Sequence, residues 1–281
     1  MSIPKTIGRW NLIEPIKAGG QARIYKVSTG EGNPICALKL IWNPYPKKRN
    51  RFIQEIKKHI ELTQKKAPNI IPILDHNLEE FEKGEQHGYI VMPKAVFDLD
   101  EAIDFFVGRL ELSLEIFCGI IQGVIEAHTI GLIHRDLKPA NILFLDEAFR
   151  TPFLTDFGIC FVKYTPEEER LTEANETVGA RFFMAPEQEQ GGRTEVEESA
   201  DIYALGKLLH YMITKRHLFR EDICDAFEKT ETDKDPRLIV ILEKILLKTI
   251  QREPNKRIQT AKELRDEVDQ IMKDFEFKRI G

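Results

Sequence analysis

The chain has 281 residues, 42% hydrophobic and 31% charged, a balance typical of a soluble globular protein with an apolar core. Its 41 basic and 46 acidic residues give a net charge of −5, which does not favour a nucleic acid or an anionic membrane as partner. The four scattered cysteines indicate neither a metal knuckle nor a redox pair. Because the N-terminus lacks a signal peptide and no run is long enough to span a membrane, we expect a cytoplasmic protein.

The first third of the sequence alternates short apolar runs with glycines and predicts four strands, over residues 10–13, 24–27, 35–41 and 89–92. Before the last strand, an amphipathic helix is predicted over 51–64. Its apolar face carries Phe52, Ile56, His59, Ile60 and Thr63, and charged residues fill the other face. The N-terminal part therefore predicts a small β-rich unit.

After Pro93 the apolar residues recur at helical spacing. Leu114 to Ile125 forms one such pattern, 200–212 is apolar on most sides, and 261–275 is amphipathic. The sequence as a whole therefore predicts an α+β protein, with a small β-rich lobe, a short connector and a larger α-helical lobe.

A polar loop lies between the helical regions, and no packing rule requires it: His134-Arg135-Asp136-Leu137-Lys138-Pro139-Ala140-Asn141. Two apolar strands follow, over 142–144 and 153–155, and the second runs into Asp156-Phe157-Gly158. Met184-Ala185-Pro186-Glu187 comes later. These segments, in this order, resemble the eukaryotic-like (Hanks-type) serine/threonine protein kinase family.

The resemblance extends from about Trp10 to about Asp269. It implies a bilobal protein-kinase-like fold in a single domain over 1–281, with an N-lobe of about 1–92, a connector of about 93–96 and a C-lobe of about 97–281. It also implies transfer of the γ-phosphate of ATP to Ser or Thr hydroxyls of protein substrates, with Mg²⁺ as a cofactor and with autophosphorylation. The sequence does not indicate an oligomeric state.

The resemblance assigns catalytic roles to Asp136, Lys138 and Asn141. Asp136 would orient the incoming hydroxyl and accept its proton, while Lys138 would neutralise charge on the moving phosphoryl group. Asn141 and Asp156 would be the metal ligands, because Mg²⁺ prefers hard oxygen ligands and keeps some waters. Without the resemblance, Asp136 would be read as a turn cap and Lys138 as a solvated side chain.

Lys39 lies in an apolar strand, where an inward ammonium is costly without partners. The family implies two partners: the α- and β-phosphates of ATP and a glutamate of the following helix. Glu55 fits that glutamate best, and Glu61 is the second choice. The alternative is a surface lysine on an edge strand.

The glycine-rich loop is the weakest match to the family pattern G-x-G-x-x-G-x-V. Gly19 is kept, while Lys17 and Ala22 replace the flanking glycines. An ordinary turn is the alternative reading of this loop. Met92 would gate the adenine pocket and the Ala95 amide would meet the adenine edge, since Pro93 has no N–H.

The apolar walls of the pocket would be Ile16, Ile24, Ala37 and Leu143, unless these are simply core residues. The predicted nucleotide-contacting set is Ile16, Lys17, Ala18, Gly19, Gly20, Gln21, Ala22, Arg23, Ile24, Ala37, Lys39, Glu55, Met92, Ala95, Leu143 and Asp156.

Residues 159–184 match the activation segment of the family. Glu176 stands where many relatives carry a phosphothreonine, so we hypothesise that Glu176 pairs with Arg135. Phosphorylation at Thr172 or Thr177 is the competing hypothesis. Ala180 replaces a threonine that serine/threonine kinases usually have.

Two further interactions are predicted to be structural. Glu187 would pair with Arg257, and Asp201 would hold the backbone of the catalytic loop, by which we mean residues 134–141.

Three functions remain open from the sequence. The first is an active protein kinase, and Lys138-Pro139 favours one specific for Ser and Thr over Tyr. The second is a pseudokinase-like scaffold, suggested by the altered glycine loop and Ala180. The third is a small-molecule phosphotransferase, a class that generally lacks the Ala-Pro-Glu segment found at Ala185.

Overall fold

A computed structural model of the chain describes residues 5–18, 22–42, 46–84, 87–157, 182–189, 197–219, 223, 226–227 and 235–275. Its N-terminal lobe is a six-stranded antiparallel sheet in the order β1-β2-β3-β4-β6-β5. The strands are β1 Thr6–Ile7, β2 Trp10–Ala18, β3 Ala22–Ser28, β4 Cys36–Trp42, β5 Asp75–His76 and β6 His87–Pro93. Two helices accompany this sheet, α1 Pro46–Gln64 and α2 Leu78–Lys83.

Strand β4 divides the apolar residues of this lobe between the two faces of the sheet. Its side chains alternate, so Leu38 and Leu40 join one buried cluster and Ile41 joins the other. The second cluster includes Phe52 and Ile56 of α1, so that helix covers this face. By the same alternation Lys39, between Leu38 and Leu40, points toward the face that α1 covers.

The C-terminal lobe carries a small antiparallel sheet and most of the helices. The sheet consists of β7 Phe97–Asp98, β8 Ile142–Phe144 and β9 Pro152–Leu154. The α-helices are α3 Leu99–Phe106, α4 Leu110–Thr129, α5 Pro186–Glu189, α6 Ser199–Thr214, α7 Arg237–Ile241, α8 Leu247–Thr249 and α9 Ala261–Asp274. A π-helix spans Leu242–Leu246, and 3₁₀ helices span Pro139–Asn141 and Pro254–Lys256.

Helix α6 forms the centre of the C-terminal lobe. Its residues from Ser199 to Ile213 are buried, which agrees with the predicted helix that is apolar on most sides. The chain after the π-helix packs so closely on α6 that a Cβ added at Gly206 would lie 2.2 Å from Oγ1 of Thr249. Only glycine permits this contact, which fixes the position of α6 beneath the catalytic loop.

The two lobes are joined by backbone hydrogen bonds to β9. The amide of Leu154 donates to the Asn69 carbonyl at 2.8 Å, and the Ile71 amide donates to the Leu154 carbonyl at 3.0 Å. Gly123 of α4 makes room for this segment, because a Cβ there would lie 2.8 Å from the Asn69 oxygen. The chain leaving β9 toward Asp156 is therefore anchored to both lobes.

Helix α1 begins at Pro46, five residues before the predicted start at Arg51. The first turn, Pro46-Lys47-Lys48-Arg49-Asn50, has no apolar periodicity to reveal it, although proline is well tolerated in a first helical turn. Among the described residues, no helix is both long enough and apolar enough to cross a membrane.

Candidate active site

The site is centred on an ion pair between the lobes. Nζ of Lys39, on β4, lies 2.7 Å from Oδ1 of Asp156, which follows β9. The Lys39 side chain is 5% exposed, so its charge is held away from solvent. The backbone of Asp156 is left-handed, with φ of +61°, a strained conformation that clusters at functional sites.

The Asp156 carboxylate remains ionised because of this contact. Burial alone would raise the pKa of Asp156, but the charge and hydrogen bond of Lys39, together with the charges of Lys138 and His134, hold the pKa below its ordinary value. A negative charge is thus maintained at the junction of the two lobes.

The catalytic loop lies beside Asp156 because it is hydrogen bonded to both sides of Thr155. The Thr155 amide donates to the Asn141 carbonyl at 3.1 Å, and Nε2 of His134 lies 2.9 Å from the Thr155 carbonyl. A carbonyl only accepts, so His134 carries its proton on Nε2. Burial lowers the pKa of His134, which keeps the ring neutral.

Within the catalytic loop, Asp136 is the common partner of two side chains. Nζ of Lys138 lies 2.9 Å from Oδ2 of Asp136, and Nδ2 of Asn141 lies 3.0 Å from the same oxygen. The same side-chain nitrogen, Nδ2 of Asn141, also donates to the backbone carbonyl of Asp136 at 2.7 Å. Asp136 is therefore held in one orientation by a cation and an amide.

Two oxygens of this site are available to a metal. Nδ2 of Asn141 makes both hydrogen bonds to Asp136, and within the described part of the chain no donor contacts its Oδ1. Lys39 and Thr155 contact Oδ1 of Asp156, whereas no described residue donates to Oδ2. One carboxylate and one amide oxygen fit Mg²⁺, which is commonly bound by one or two carboxylates together with substrate phosphates.

The backbone of the catalytic loop is fixed from below by α6. Asp201 accepts from the amides of His134 and Arg135, each at 2.8 Å, and lies 2.8 Å from Nε2 of His128. Burial favours the neutral acid, but the bond from His128 and the nearby charges hold the pKa of Asp201 below its ordinary value. The predicted role of Asp201 in holding this backbone is confirmed.

Glu187 and Arg257 form the predicted ion pair. The guanidinium of Arg257 is bidentate, with Nη1 2.6 Å and Nη2 2.8 Å from the two carboxylate oxygens. Its side chain is fully buried and also donates to the carbonyls of Ser199, Gln251 and Arg252. This pair fixes α5 to the chain before α9.

The family profile of the protein kinase domain matches residues 10–281. The chain belongs to the protein kinase family. The predicted family is therefore confirmed, and the site described above lies in a kinase domain.

Named relatives of this kinase domain are bacterial serine/threonine kinases. It is 28% identical over 284 residues to a probable serine/threonine-protein kinase of Clostridium perfringens, and the alignment covers 97% of this chain and 40% of the relative. It is 31% identical over 211 residues to the DNA damage-responsive serine/threonine-protein kinase RqkA of Deinococcus radiodurans, with 72% of this chain and 29% of the relative aligned. It is 28% identical over 281 residues to the serine/threonine-protein kinase PrkC of Bacillus subtilis, with 95% of this chain and 41% of the relative aligned. The chain thus spans less than half the length of these three relatives.

The fold of this kinase domain matches a solved structure. The crystal structure of the Mycobacterium tuberculosis PknI kinase domain aligns with a TM-score of 0.67 at 21% identity, covering 96% of this chain and 100% of that one. The predicted bilobal kinase-like fold is confirmed by this similarity.

Several residues of the predicted nucleotide-contacting set are buried or half-buried, and their contact with a nucleotide stays a prediction. Met92 and Leu143 belong to one apolar cluster, Ala37 is buried, and Ile24 is half-buried. Ile16 is 47% exposed, so it is not a core residue.

The predicted glycine-rich loop joins β2 to β3. Lys17 and Ala18 end β2 and Ala22 begins β3, while Gly19, Gly20 and Gln21 lie outside the described residues. Arg23 is exposed on β3.

The connector agrees with Ala95 as a donor. The amide of Val96 donates to the Phe144 carbonyl at 2.9 Å and is therefore occupied. The amide of Ala95 has no acceptor in the described ranges, although its carbonyl accepts from Nζ of Lys94 at 3.0 Å. Ala95 stays the prediction for the adenine contact.

The described contact of Lys39 is with Asp156. Glu55 of α1 is buried, and its pairing with Lys39 stays a prediction. The second choice, Glu61, is wrong, because its carboxylate pairs with Lys65 one turn further along α1 at 2.6 Å. Because an ammonium has three N–H donors, the contact with Asp156 leaves Lys39 able to donate to other oxygens as well.

The activation-segment hypotheses fall where the structure gives no description. Thr172, Glu176, Thr177 and Ala180 lie outside the described residues, as does Gly158. The proposed pairing of Glu176 with Arg135 stays a prediction.

Sequence reasoning did not assign a site role to His59. Its ring packs 5.2 Å from Phe157, whose other neighbour is His134 at 4.8 Å, between ring centroids. Nε2 of His59 lies 2.6 Å from the Ile71 carbonyl. The one sequence feature that indicated burial of His59 was its position on the apolar face of the predicted helix.

Because the His59 ring is buried, we expect the folded protein to lose stability in acid. Burial lowers its pKa from 6.5 to about 4, while the Ile71 carbonyl and Asp156 oppose this and Lys39 and His134 add to it. Between these values the unfolded chain binds a proton that the folded chain does not, so stability present above about pH 6.5 is lost as the pH falls toward 4.

We expect the His59→Leu variant to lose less stability than the parent between pH 7 and pH 4.5, with a difference of up to about 3 kcal/mol. Urea unfolding at each pH measures it. Burial also lowers the pKa of His134 and of His210. The free energy of unfolding of the variant should therefore still fall with pH, but less steeply than that of the parent. Parallel stability curves for parent and variant would contradict the assignment.

Proposed function

We propose that this chain is an ATP-dependent serine/threonine protein kinase that transfers the γ-phosphate to hydroxyls of protein substrates and of itself. One observation carries the proposal: Lys39 of β4, Asp136 and Asn141 of the catalytic loop, and Asp156 after β9 come from three separate segments and converge at the junction of the lobes. No packing requirement explains two carboxylates, an amide and a buried ammonium in one cleft. Positioning and electrostatics of this kind are what phosphoryl transfer demands of a protein.

The nucleotide would lie between the lobes. Lys39 is directed into the cleft from β4 and would contact the α- and β-phosphates, sharing its charge between them and Asp156. The Ala95 amide would donate to the adenine edge, since the Val96 amide is already bonded. Ala37, Met92 and Leu143 would supply apolar contacts to the base.

Asn141 and Asp156 would hold Mg²⁺ through the two oxygens that no described residue contacts. When bound, the ion supplies positive charge against the phosphates of ATP. Lys39 keeps Asp156 ionised, and Asp136 keeps the Asn141 amide turned so that Oδ1 faces away from the loop. The ligand geometry is thus prepared by the residues of this chain.

Asp136 would orient the substrate hydroxyl and accept its proton. Lys138 lies 2.9 Å from Asp136 and would neutralise charge that develops on the transferred group. The bonds from Lys138 and Asn141 restrict rotation of the Asp136 carboxylate, which supports a positioned base rather than a solvated side chain.

We propose that the protein acts in the cytoplasm as a signalling kinase.

The test is incubation of the purified protein with γ-labelled ATP and Mg²⁺, alone and with a general protein substrate. We expect label on serine and threonine but not on tyrosine, and none after chelation of the metal. The Asp136→Asn variant, purified in parallel, is the control for contaminating kinases. Binding of ATP without transfer would instead support a pseudokinase-like scaffold. Label on a small molecule alone would support a small-molecule phosphotransferase.

A further inference from the structure

Gln188 lies next to the active site but has no place in the machinery proposed above. It follows Glu187 in α5 and is 7% exposed. Its Nε2 donates to the Arg135 carbonyl at 2.9 Å, and its Oε1 accepts from the Ala185 amide at 3.0 Å. Because a carbonyl only accepts and an N–H only donates, these partners fix which end of the amide is nitrogen.

The Arg135 carbonyl belongs to a strained part of the backbone. Arg135 has φ of +66°, a conformation that side-chain-bearing residues adopt rarely and only where surrounding contacts enforce it. On one side, the Arg135 amide donates to Asp201 of α6 at 2.8 Å. On the other side, the carbonyl accepts from Gln188 of α5. Two buried polar groups from different helices therefore hold this residue.

The bond from Gln188 acts on the residue that follows. The carbonyl of Arg135 and the amide of Asp136 belong to one planar peptide group. Fixing that plane places the Asp136 Cα, and the bond from Nδ2 of Asn141 to the Asp136 carbonyl holds the backbone on its other side, so together they orient the Asp136 side chain. Through its other end, the same Gln188 amide is attached to the segment 182–185, which leads into α5.

We propose that Gln188 is a positioning residue for phosphoryl transfer: it ties the Arg135–Asp136 peptide plane to the segment before α5, so that Asp136 meets the substrate hydroxyl. The inference rests on the proposed kinase function. Gln188 touches neither nucleotide nor substrate in this account, and acts only through Asp136.

The surroundings of Gln188 indicate how to remove its two bonds cleanly. A cavity of about 10 Å³ lies beside it, lined also by Arg135, Asp136 and Asp201. That volume is at the lower limit for one water molecule. A substituted side chain as long as glutamine therefore leaves little room for a water molecule that could replace the two lost hydrogen bonds. Gln188→Met keeps the length and removes both bonds, whereas Gln188→Ala would enlarge the cavity and admit water.

Gln188→Glu is the second variant and gives a pH signature. At neutral pH an ionised carboxylate still accepts from Ala185 but cannot donate to the Arg135 carbonyl. Protonation restores a donor, and it is favoured by Asp136 and Asp201 across the cavity and opposed by the charge of Arg135. The activity of Gln188→Glu relative to the parent should therefore rise as the pH is lowered.

For Gln188→Met we expect kcat with a protein substrate to fall about tenfold, while KM for ATP stays within about twofold of the parent. Its activity relative to the parent should not change between pH 8 and pH 6, whereas that of Gln188→Glu should rise. Gln270→Met, a change of the same type at an exposed position of α9, is the matched control and should behave as the parent.

Unchanged kcat in both variants of an active parent would overturn this inference and leave the kinase function standing. Unfolding of both variants at the assay temperature would also overturn it, because Gln188 would then be a core residue. A flat pH ratio for Gln188→Glu would refute the hydrogen bond to Arg135 as the cause. If the parent itself transfers no phosphate, the proposed function fails and this inference with it.

Discussion

Replacing Asp136 by asparagine is expected to lower kcat for phosphoryl transfer by about 10²- to 10⁴-fold, the range measured when a general base is removed. The substitution keeps the size of the side chain and an oxygen that Lys138 or Asn141 can contact. It removes the negative charge and the ability to accept the hydroxyl proton. Because Asp136 is not among the proposed metal ligands, the affinity for ATP should stay close to that of the parent.

Initial rates with a protein substrate, together with nucleotide binding measured by fluorescence or calorimetry, check this prediction. The matched control is Glu147→Gln, which removes one negative charge from an exposed position between β8 and β9 and should leave kcat unchanged. An Asp136→Asn enzyme that retains half of the parent activity would show that another group accepts the proton. A parallel loss of ATP binding would show instead that the cleft had been rearranged.

The second large effect concerns stability. We expect Glu187→Gln to lower the free energy of unfolding by about 3–5 kcal/mol, since it leaves the buried Arg257 charge without its carboxylate. The Arg257 side chain is fully buried and that of Glu187 is 12% exposed, so solvent cannot replace the lost partner. The three carbonyls that Arg257 also contacts retain their hydrogen bonds but do not neutralise it.

Urea unfolding of parent and variants measures this loss. Removing both charges together, in Glu187→Leu with Arg257→Met, should cost less than the single change, because no buried charge then remains unpaired. The reference is Asp266→Asn, which breaks the exposed Lys262–Asp266 pair on α9 and should change stability by less than about 1 kcal/mol. Equal losses for the buried and the exposed pair would refute the argument from burial.

Much of the site was predictable because its residues form short contiguous segments. Asp136, Lys138 and Asn141 lie within six residues of one another, and a loop this short brings them together once its backbone is fixed. Asp201 and Arg257 were also predictable, since each belongs to a recognisable segment and the contact of each forms as expected.

Interactions that depend on the placement of whole elements were not predictable in the same way. The contact between Lys39 and Asp156 depends on where β9 lies relative to β4, and no local pattern encodes that. Gln188 was missed because a single polar residue next to a motif has no periodicity, and its burial becomes evident only in three dimensions.

Short and irregular elements were missed for a related reason. Strands β5 and β7 have two residues each, too few to show an alternation. The π-helix at Leu242–Leu246 has the same apolar composition as an α-helix and differs only in its hydrogen bonds. The start of α1 lies in a charged turn that hydrophobic periodicity cannot detect.

The backbone hydrogen bonds that join residues 69–71 to Leu154 also determine how the lobes are able to move. Two backbone hydrogen bonds to one residue oppose sliding, so we expect the lobes to move relative to one another mainly by rotation about an axis near Leu154. Asp156, two residues after Leu154, would then travel a short arc, whereas Lys39 on β4 would travel a longer one. An opening rotation would therefore lengthen the Lys39–Asp156 distance first, while the distances inside the catalytic loop stay constant.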